Sequence, residues 1–227
     1  MRLMAVIAHP DDAEIWCGGT LILQAEQGSA VRVCALSYAP GSNRGQEAQQ
    51  GANQMGCEVE FLGLEDGNIR DTDKIVENLR SSMDSFRPDT IITHWYDDMH
   101  PDHEAAFLLV RRSLVRGFLG LSKDEVRGFP RIFCCDTYNS LGLHGPFNPD
   151  RFVDISHIWE KKIAAISAHG SQPLGFYLDM IDRQCLSHGK VAGTKRAEGF
   201  LYVPMFGRPD EGEPLGGSWG RKHPLGN

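Results

Sequence analysis

Two short segments gather the side chains that do chemistry. His9-Pro10-Asp11-Asp12-Ala13-Glu14 puts an imidazole and two carboxylates within four residues. Asp97-Asp98-Met99-His100-Pro101-Asp102-His103 adds two imidazoles and three carboxylates. Imidazole nitrogen and carboxylate oxygen are the ligands that borderline divalent metals take. A lone His or Asp in either place reads as a cap or a surface group; the recurrence of His-Pro-Asp turns the reading to a metal. Two imidazoles and one carboxylate make a three-ligand site with a position left for water, whereas a closed structural zinc site takes four ligands.

The surrounding elements must bring the two segments together. Leu3 to Ala8, Val31 to Leu36, Val59 to Leu64, Thr90 to Thr93 and Arg131 to Thr137 are short apolar runs without polar alternation. Such runs suit strands buried on both faces of a parallel sheet. Helical periods lie between them: Thr20 to Ala25 running to Gly28, Arg44 to Met55 ending at Gly56, Asp73 to Phe86, and Glu104 to Val115. The alternation predicts right-handed βαβ units in an α/β fold: a Rossmann-like, doubly wound, mainly parallel sheet of order 3-2-1-4-5 with helices on both faces. Ligands of such sheets bind beyond the strand carboxyl ends, where strand order reverses. The first and fourth strands are neighbours in that order, so His9, Asp12 and His103 are expected to gather around one ion.

Composition excludes other classes. Lys+Arg 23 against Asp+Glu 30 gives a net charge of −7, which disfavours a nucleic-acid or anionic-membrane partner. The first βα turn lacks G-x-G-x-x-G and has only Gly18-Gly19 within the predicted helix, which disfavours a dinucleotide-dependent oxidoreductase or a methyltransferase. No run approaches the ~20 apolar residues of a membrane span, and no targeting segment is legible. The six cysteines form no CxxC pair and read as reduced core thiols of a cytoplasmic protein. One domain over residues 1–207 is expected, followed by a Gly/Pro-rich tail at 208–227.

HPDD-x-E after the first strand together with HPDH after the fourth resembles the zinc-dependent PIG-L (LmbE-like) N-deacetylase family. Arg44 and Glu47, Phe61-Leu62-Gly63-Leu64 leading to Asp66-Gly67, and Ala168-His169-x-Ser171-Gln172 extend the similarity to about Met1–Phe200. The resemblance implies a Rossmann-like hydrolase that removes an N-acetyl group from an N-acetylglucosaminyl-type amino sugar or related metabolite, releasing acetate and free amine. It implies Zn²⁺, with Fe²⁺ or Co²⁺ also compatible with the donor set, and a homo-oligomer, trimer or hexamer. Position by position, His9, Asp12 and His103 look like the zinc ligands and Asp11 like the general base.

Amide hydrolysis needs more than metal and base. An oxyanion develops, for which His100 is placed, with a later part in protonating the leaving amine. Asp102 is expected to orient the His100 ring. Arg44 resembles the family's substrate-side arginine, Asp66 is an acceptor for sugar hydroxyls or a turn former, and Asp98 is an extra carboxylate at the rim. Glu14 is balanced between the site and a helix-dipole role, while His94 and His169 read as satisfied structural histidines. The chain departs from thiol-pathway members, which have a tyrosine two positions before the first His of HPDH; here Asp98 stands there and Tyr96 lies two further back. A zinc amidase acting on another N-acyl or thiol-conjugate substrate, and a non-catalytic metal- or glycan-binding module, are the alternatives. The second predicts a damaged ligand or base, yet all are present.

Overall fold

The run Arg2–Ile7 becomes β1, the strand around which everything else is laid. The computed structural model describes residues 1–118, 129–205 and 215. In chain order the elements are β1, α1 (Asp12–Glu26), β2 (Ala30–Ser37), α2 (Asn43–Met55), β3 (Glu58–Leu64), α3 (Asp73–Phe86), β4 (Thr90–Thr93), α4 (Pro101–Phe118) and β5 (Arg131–Cys135). A 3-10 turn (Tyr138–Ser140), β6 (Arg151–Asp154), α5 (Trp159–Ser167), α6 (Leu174–Ala192) and β7 (Ala197–Val203) follow.

The sheet order is β3-β2-β1-β4-β5-β7-β6. Its first five positions are the expected 3-2-1-4-5, all parallel. The expectation stopped short at β5: two further strands extend that edge, with β7 antiparallel to both β5 and β6. They come from residues after 137, where hydrophobic runs are shorter and more mixed. Burial on both faces holds for β1 and β4 but not for β3, which is half-buried because it is the outer strand.

Alternation along β1 divides the core. Leu3, Ala5 and Ile7 pack with α1, α2, α5 and α6; Met4 and Val6 pack with α3 and α4. Each layer removes apolar surface from water at about 25 cal/mol per Å², so β1 is held from both sides and its carboxyl end is a rigid platform. All six cysteines are buried and free. The tail at 208–227 lies outside the described residues except Leu215, which is fully buried and accepts a hydrogen bond from Gln24 Nε2. No described helix is long and apolar enough to cross a membrane.

Candidate active site

β1 and β4 are adjacent, with Val6 paired to Thr93, so their carboxyl ends open side by side. Ser37 at the end of β2 donates through its N–H and hydroxyl to the Ala8 carbonyl, at 3.0 and 2.7 Å, and fixes the chain just before His9. One donor atom each from His9, Asp12 and His103 lies within 4.8 Å of the others. All three residues are buried.

Asp12 is the hub of this cluster. Its Oδ2 accepts from the His9 backbone N–H at 2.7 Å and stands 3.2 Å from His9 Nδ1; its Oδ1 accepts from Trp16 Nε1 at 3.1 Å. Burial alone would raise its pKa, but His103 and His94 hold it well below the usual carboxylate range. For His103, burial opposes the charge, yet Asp12 and Asp98 push the ring up to about 10. His103 Nε2 has no hydrogen-bond partner among the described residues and lies 3.5 Å from Asp12 Oδ1. A buried nitrogen without a partner is costly, and here it faces a carboxylate and a second imidazole. That donor set fits a divalent cation.

Asp11 differs from its neighbours in backbone as well as environment. It is the N-cap of α1, with φ 103° and ψ −31°, a region non-glycine residues seldom occupy. An N-cap aspartate ordinarily turns its carboxylate onto the helix N–H groups. Asp11 makes no such bond, and its Oδ1 lies 2.9 Å from Arg44 Nη2 instead. Burial and then Asp12 raise its pKa to about 7, against the pull of Arg44.

Arg44 reaches Asp11 because of how α2 begins. Ser42 caps the helix, its hydroxyl accepting from Gly45 N–H at 3.0 Å. A Cβ at Gly45 would come within 2.1 Å of the Ala39 carbonyl, so this close approach needs glycine. Arg44 also donates to the Pro10 carbonyl, which ties it to both sides of the first motif.

In the second motif the structure changes two expected roles. Asp102 does not orient His100 through its carboxylate. That carboxylate accepts from Gly67 N–H at 2.6 Å and Ile69 N–H at 3.1 Å, and sits 3.2 Å from His9 Nε2. It is the Asp102 backbone N–H, in the first turn of α4, that donates to His100 Nδ1 at 3.1 Å. Asp98 is not at the rim. It is buried, accepting from His100 N–H at 2.8 Å and standing 2.9 Å from His103 Nδ1, where it fixes the ring that carries the free Nε2.

Asp66, expected as a sugar-hydroxyl acceptor or a turn former, is a half-exposed carboxylate beside His9. It lies 3.1 Å from His9 Nε2 and accepts from Tyr38 OH at 2.6 Å. His94 is only partly satisfied: Nε2 accepts from Ala8 N–H at 3.0 Å and lies 3.2 Å from Asp12 Oδ2, the ring stacks on His103 at 3.7 Å, and Nδ1 has no hydrogen-bond partner among the described residues. His169 is not satisfied either. It is buried with neither ring nitrogen hydrogen-bonded among the described residues, and Nε2 stands 3.4 Å from Glu14 Oε1. A Cβ at Gly51 would fall 2.2 Å from that Glu14 oxygen, so α2 must be bare there. Glu14 is thus turned inward onto His169.

Trp16, Tyr138 and Tyr177 border the cluster and had no place in the sequence reading. Trp16 was findable, since it stands four residues after Asp12 on one helix face. The tyrosines come from the turn after β5 and from α6, and nothing local links them to residue 12.

Residues 4–114 match the family model described as PIG-L: GlcNAc-PI de-N-acetylase. The chain is 24% identical over 234 residues to the diacetylchitobiose deacetylase of Thermococcus kodakarensis, covering 89% of this chain and 83% of that protein. It is 26% identical over 190 residues to the 4-oxalmesaconate hydratase of Pseudomonas putida, covering 74% and 73%. Among solved structures it resembles GalB, the 4-carboxy-2-hydroxymuconate hydratase of Pseudomonas putida KT2440, with a TM-score of 0.77 and 23% identity over 93% of this chain and 99% of that one.

Proposed function

We propose, from the membership of this chain in the PIG-L (LmbE-like) family, whose domain spans residues 4–114, that it is a zinc-dependent N-deacetylase of N-acetylated amino sugars. The family model is described as a de-N-acetylase and the relatives include a diacetylchitobiose deacetylase, which supports reading the chain as an amide-hydrolysing enzyme. The observation that carries the reading is the convergence of His9, Asp12 and His103, with Asp11 beside them and turned away from its own helix.

His9, Asp12 and His103 would hold the metal. When bound, it lowers the pKa of water to about 7 and polarises a carbonyl. Asp11 takes the proton of the attacking water and returns it to the leaving amine. Arg44 keeps the Asp11 carboxylate in place at 2.9 Å. His100 has Nδ1 occupied by the Asp102 N–H, so the neutral ring carries its proton on Nε2 and offers a hydrogen bond to the developing oxyanion. A ring tied in this way is a hydrogen-bond donor rather than the proton source for the amine, which leaves that task to Asp11. Asp98 orients His103, and Asp102 and Asp66 flank His9. Asp66, Tyr38 and any donor left free on Arg44 suit a polyhydroxy amine. The proposal includes a catalytic unit over residues 1–207, cytoplasmic placement and a trimeric or hexameric homo-oligomer, the last checked by light scattering on the full chain.

The hydratase relative supports a second reading, in which the same metal, base and donor add water across an activated C=C bond. One experiment separates them. Full-length protein, assayed for zinc by elemental analysis, is offered a panel of N-acetylated sugars and a panel of unsaturated α-keto acids. Acetate release that stops on chelation and returns with Zn²⁺ supports the deacetylase. Loss of enoate absorbance without acetate release assigns the hydratase, and full activity in metal-stripped protein overturns both.

A further inference from the structure

The site has two unlike walls. One is polar: Asp66 and Tyr38 stand beside His9, and Arg44 beside Asp11. The other is aromatic, formed by Trp16, which also donates to Asp12, and by Tyr138. Trp16 packs edge-on to Tyr138 at 5.1 Å, and the Tyr138 ring lies parallel to His103 at 5.9 Å and 10°. Burial raises the pKa of the Tyr138 hydroxyl, and Asp12 and Tyr177 on α6 add to the shift.

Tyr138 is presented by a costly piece of backbone. The next two residues, Asn139 and Ser140, are both left-handed, with φ 52° and 54°, a conformation that disfavours non-glycine residues. A buried carboxylate holds that turn from behind. Asp136 accepts from Thr137 N–H and Ser140 Oγ, both at 2.8 Å. It is met by His188 Nε2 at 2.7 Å and Gln184 Nε2 at 3.1 Å, both from α6. Gln184 also donates to the Thr137 carbonyl at 2.7 Å and lies 3.0 Å from Ser140 Oγ. A network this closed around a strained turn specifies one conformation, and what that conformation aims at the site is Tyr138.

We propose that Tyr138 is a specificity-determining residue walling the acyl side of the substrate, and that Asp136 is the positioning residue that holds it there. The inference rests on the deacetylase reading and deepens it. An N-acyl amino sugar has two unlike ends about its scissile bond. Its hydroxyls match the Asp66–Tyr38–Arg44 wall, and its small apolar acyl group matches the aromatic corner of Trp16 and Tyr138. A ring held against the His103 imidazole at 5.9 Å would limit the length of acyl chain that fits beside it, which favours N-acetyl over long-chain N-acyl compounds.

The test uses zinc-loaded full-length protein and one amino sugar carrying acetyl, propionyl or butyryl. Wild type is expected to favour acetyl. Tyr138→Ala is expected to raise the butyryl-to-acetyl ratio of kcat/KM by about 10-fold or more, the scale on which pockets sort methylenes. Tyr138→Phe keeps the ring and should keep the ratio. Asp136→Asn should shift the ratio in the same direction, mainly through KM, with zinc content unchanged; a merely structural role would lower all three substrates alike. Should Tyr138→Ala fail to fold, Tyr138→Val carries the same expectation. An unchanged ratio in a folded, zinc-loaded Tyr138 variant overturns the acyl wall alone. Wild type that releases no acid from any of the three overturns the deacetylase reading and the wall with it.

Discussion

His9-Pro10-Asp11-Asp12 and His100-Pro101-Asp102-His103 begin with the same three residues and follow two neighbouring strands, yet their side chains divide the labour differently. The cause is where each helix begins. α1 starts at Asp12, so Asp11 is still outside it, at φ 103°. α4 starts at Pro101, a residue suited to a first helical position, so Asp102 is already inside. The third-position carboxylate therefore faces Arg44 in the first motif and the Gly67–Ile69 loop in the second. In the proposed reading the first positions differ too, with His9 a metal ligand and the half-buried His100 a hydrogen-bond donor, and only the fourth positions, Asp12 and His103, do equivalent work. A repeated tripeptide is not a repeated function; its register against the helix start decides.

The largest effect should come from those fourth positions. Asp12→Ala and His103→Ala each remove one of three ligands, and elemental analysis should find the purified protein nearly metal-free and inactive. A His103→Ala protein with full zinc would break the equivalence.

The third positions should then part company. Asp11→Asn is expected to keep its zinc while kcat falls about 10²- to 10⁴-fold with KM little changed. Asp102→Asn should instead weaken zinc binding by roughly 10- to 100-fold, because its carboxylate supports His9 and the Gly67 loop. Zinc titration beside kcat distinguishes them, and identical behaviour of the two variants would refute the helix-start argument.

Both motifs meet only if β1 and β4 are adjacent and rigid. Ile91, fully buried in β4, tests that support: Ile91→Ala should cost about 2–5 kcal/mol in urea unfolding. A midpoint near wild type would mean that the β4 core bears little of the load.

Backbone strain separates the motifs by a smaller margin. Asp11→Gly should raise stability by about 1 kcal/mol while abolishing turnover, because glycine adopts φ 103° without penalty. Asp102→Gly should lower stability, since it puts glycine in the first turn of α4 and removes the two bonds its carboxylate accepts from the Gly67 and Ile69 N–H groups. The smallest signal is chemical: all six thiols are buried, and burial pushes Cys57 and Cys185 up to about 12, so native protein at pH 8 should react with a thiol reagent only as it unfolds. Prompt labelling of one cysteine would show a looser core than the burial implies.

Much of this arrangement was legible in the chain itself. Apolar runs without alternation mark β1, β2, β4 and β5, because a strand covered on both faces has no polar side to show. Helix α3 matches its expected span, Asp73–Phe86, and Gly56 terminates α2 in the left-handed conformation. The convergence of His9, Asp12 and His103 was legible as well: the first and fourth strands are neighbours in a 3-2-1-4-5 sheet, and the strand carboxyl ends are where such sheets bind. Strands β6 and β7 escaped because antiparallel edge pairing leaves a weaker pattern, and because it joins segments far apart in sequence.

What the sequence determined by itself is therefore the set of donors and the crevice they share, since residue type and strand order suffice for both. What only the tertiary structure decided is the direction in which each side chain points. Asp98 lies behind His103 rather than at the rim, Asp102 faces His9 rather than His100, and Tyr138 arrives from a turn 126 residues beyond Asp12. Those outcomes depend on the angle of a side chain at a helix start or in a strained turn, and that angle is set by partners distant in the chain that no local spacing records.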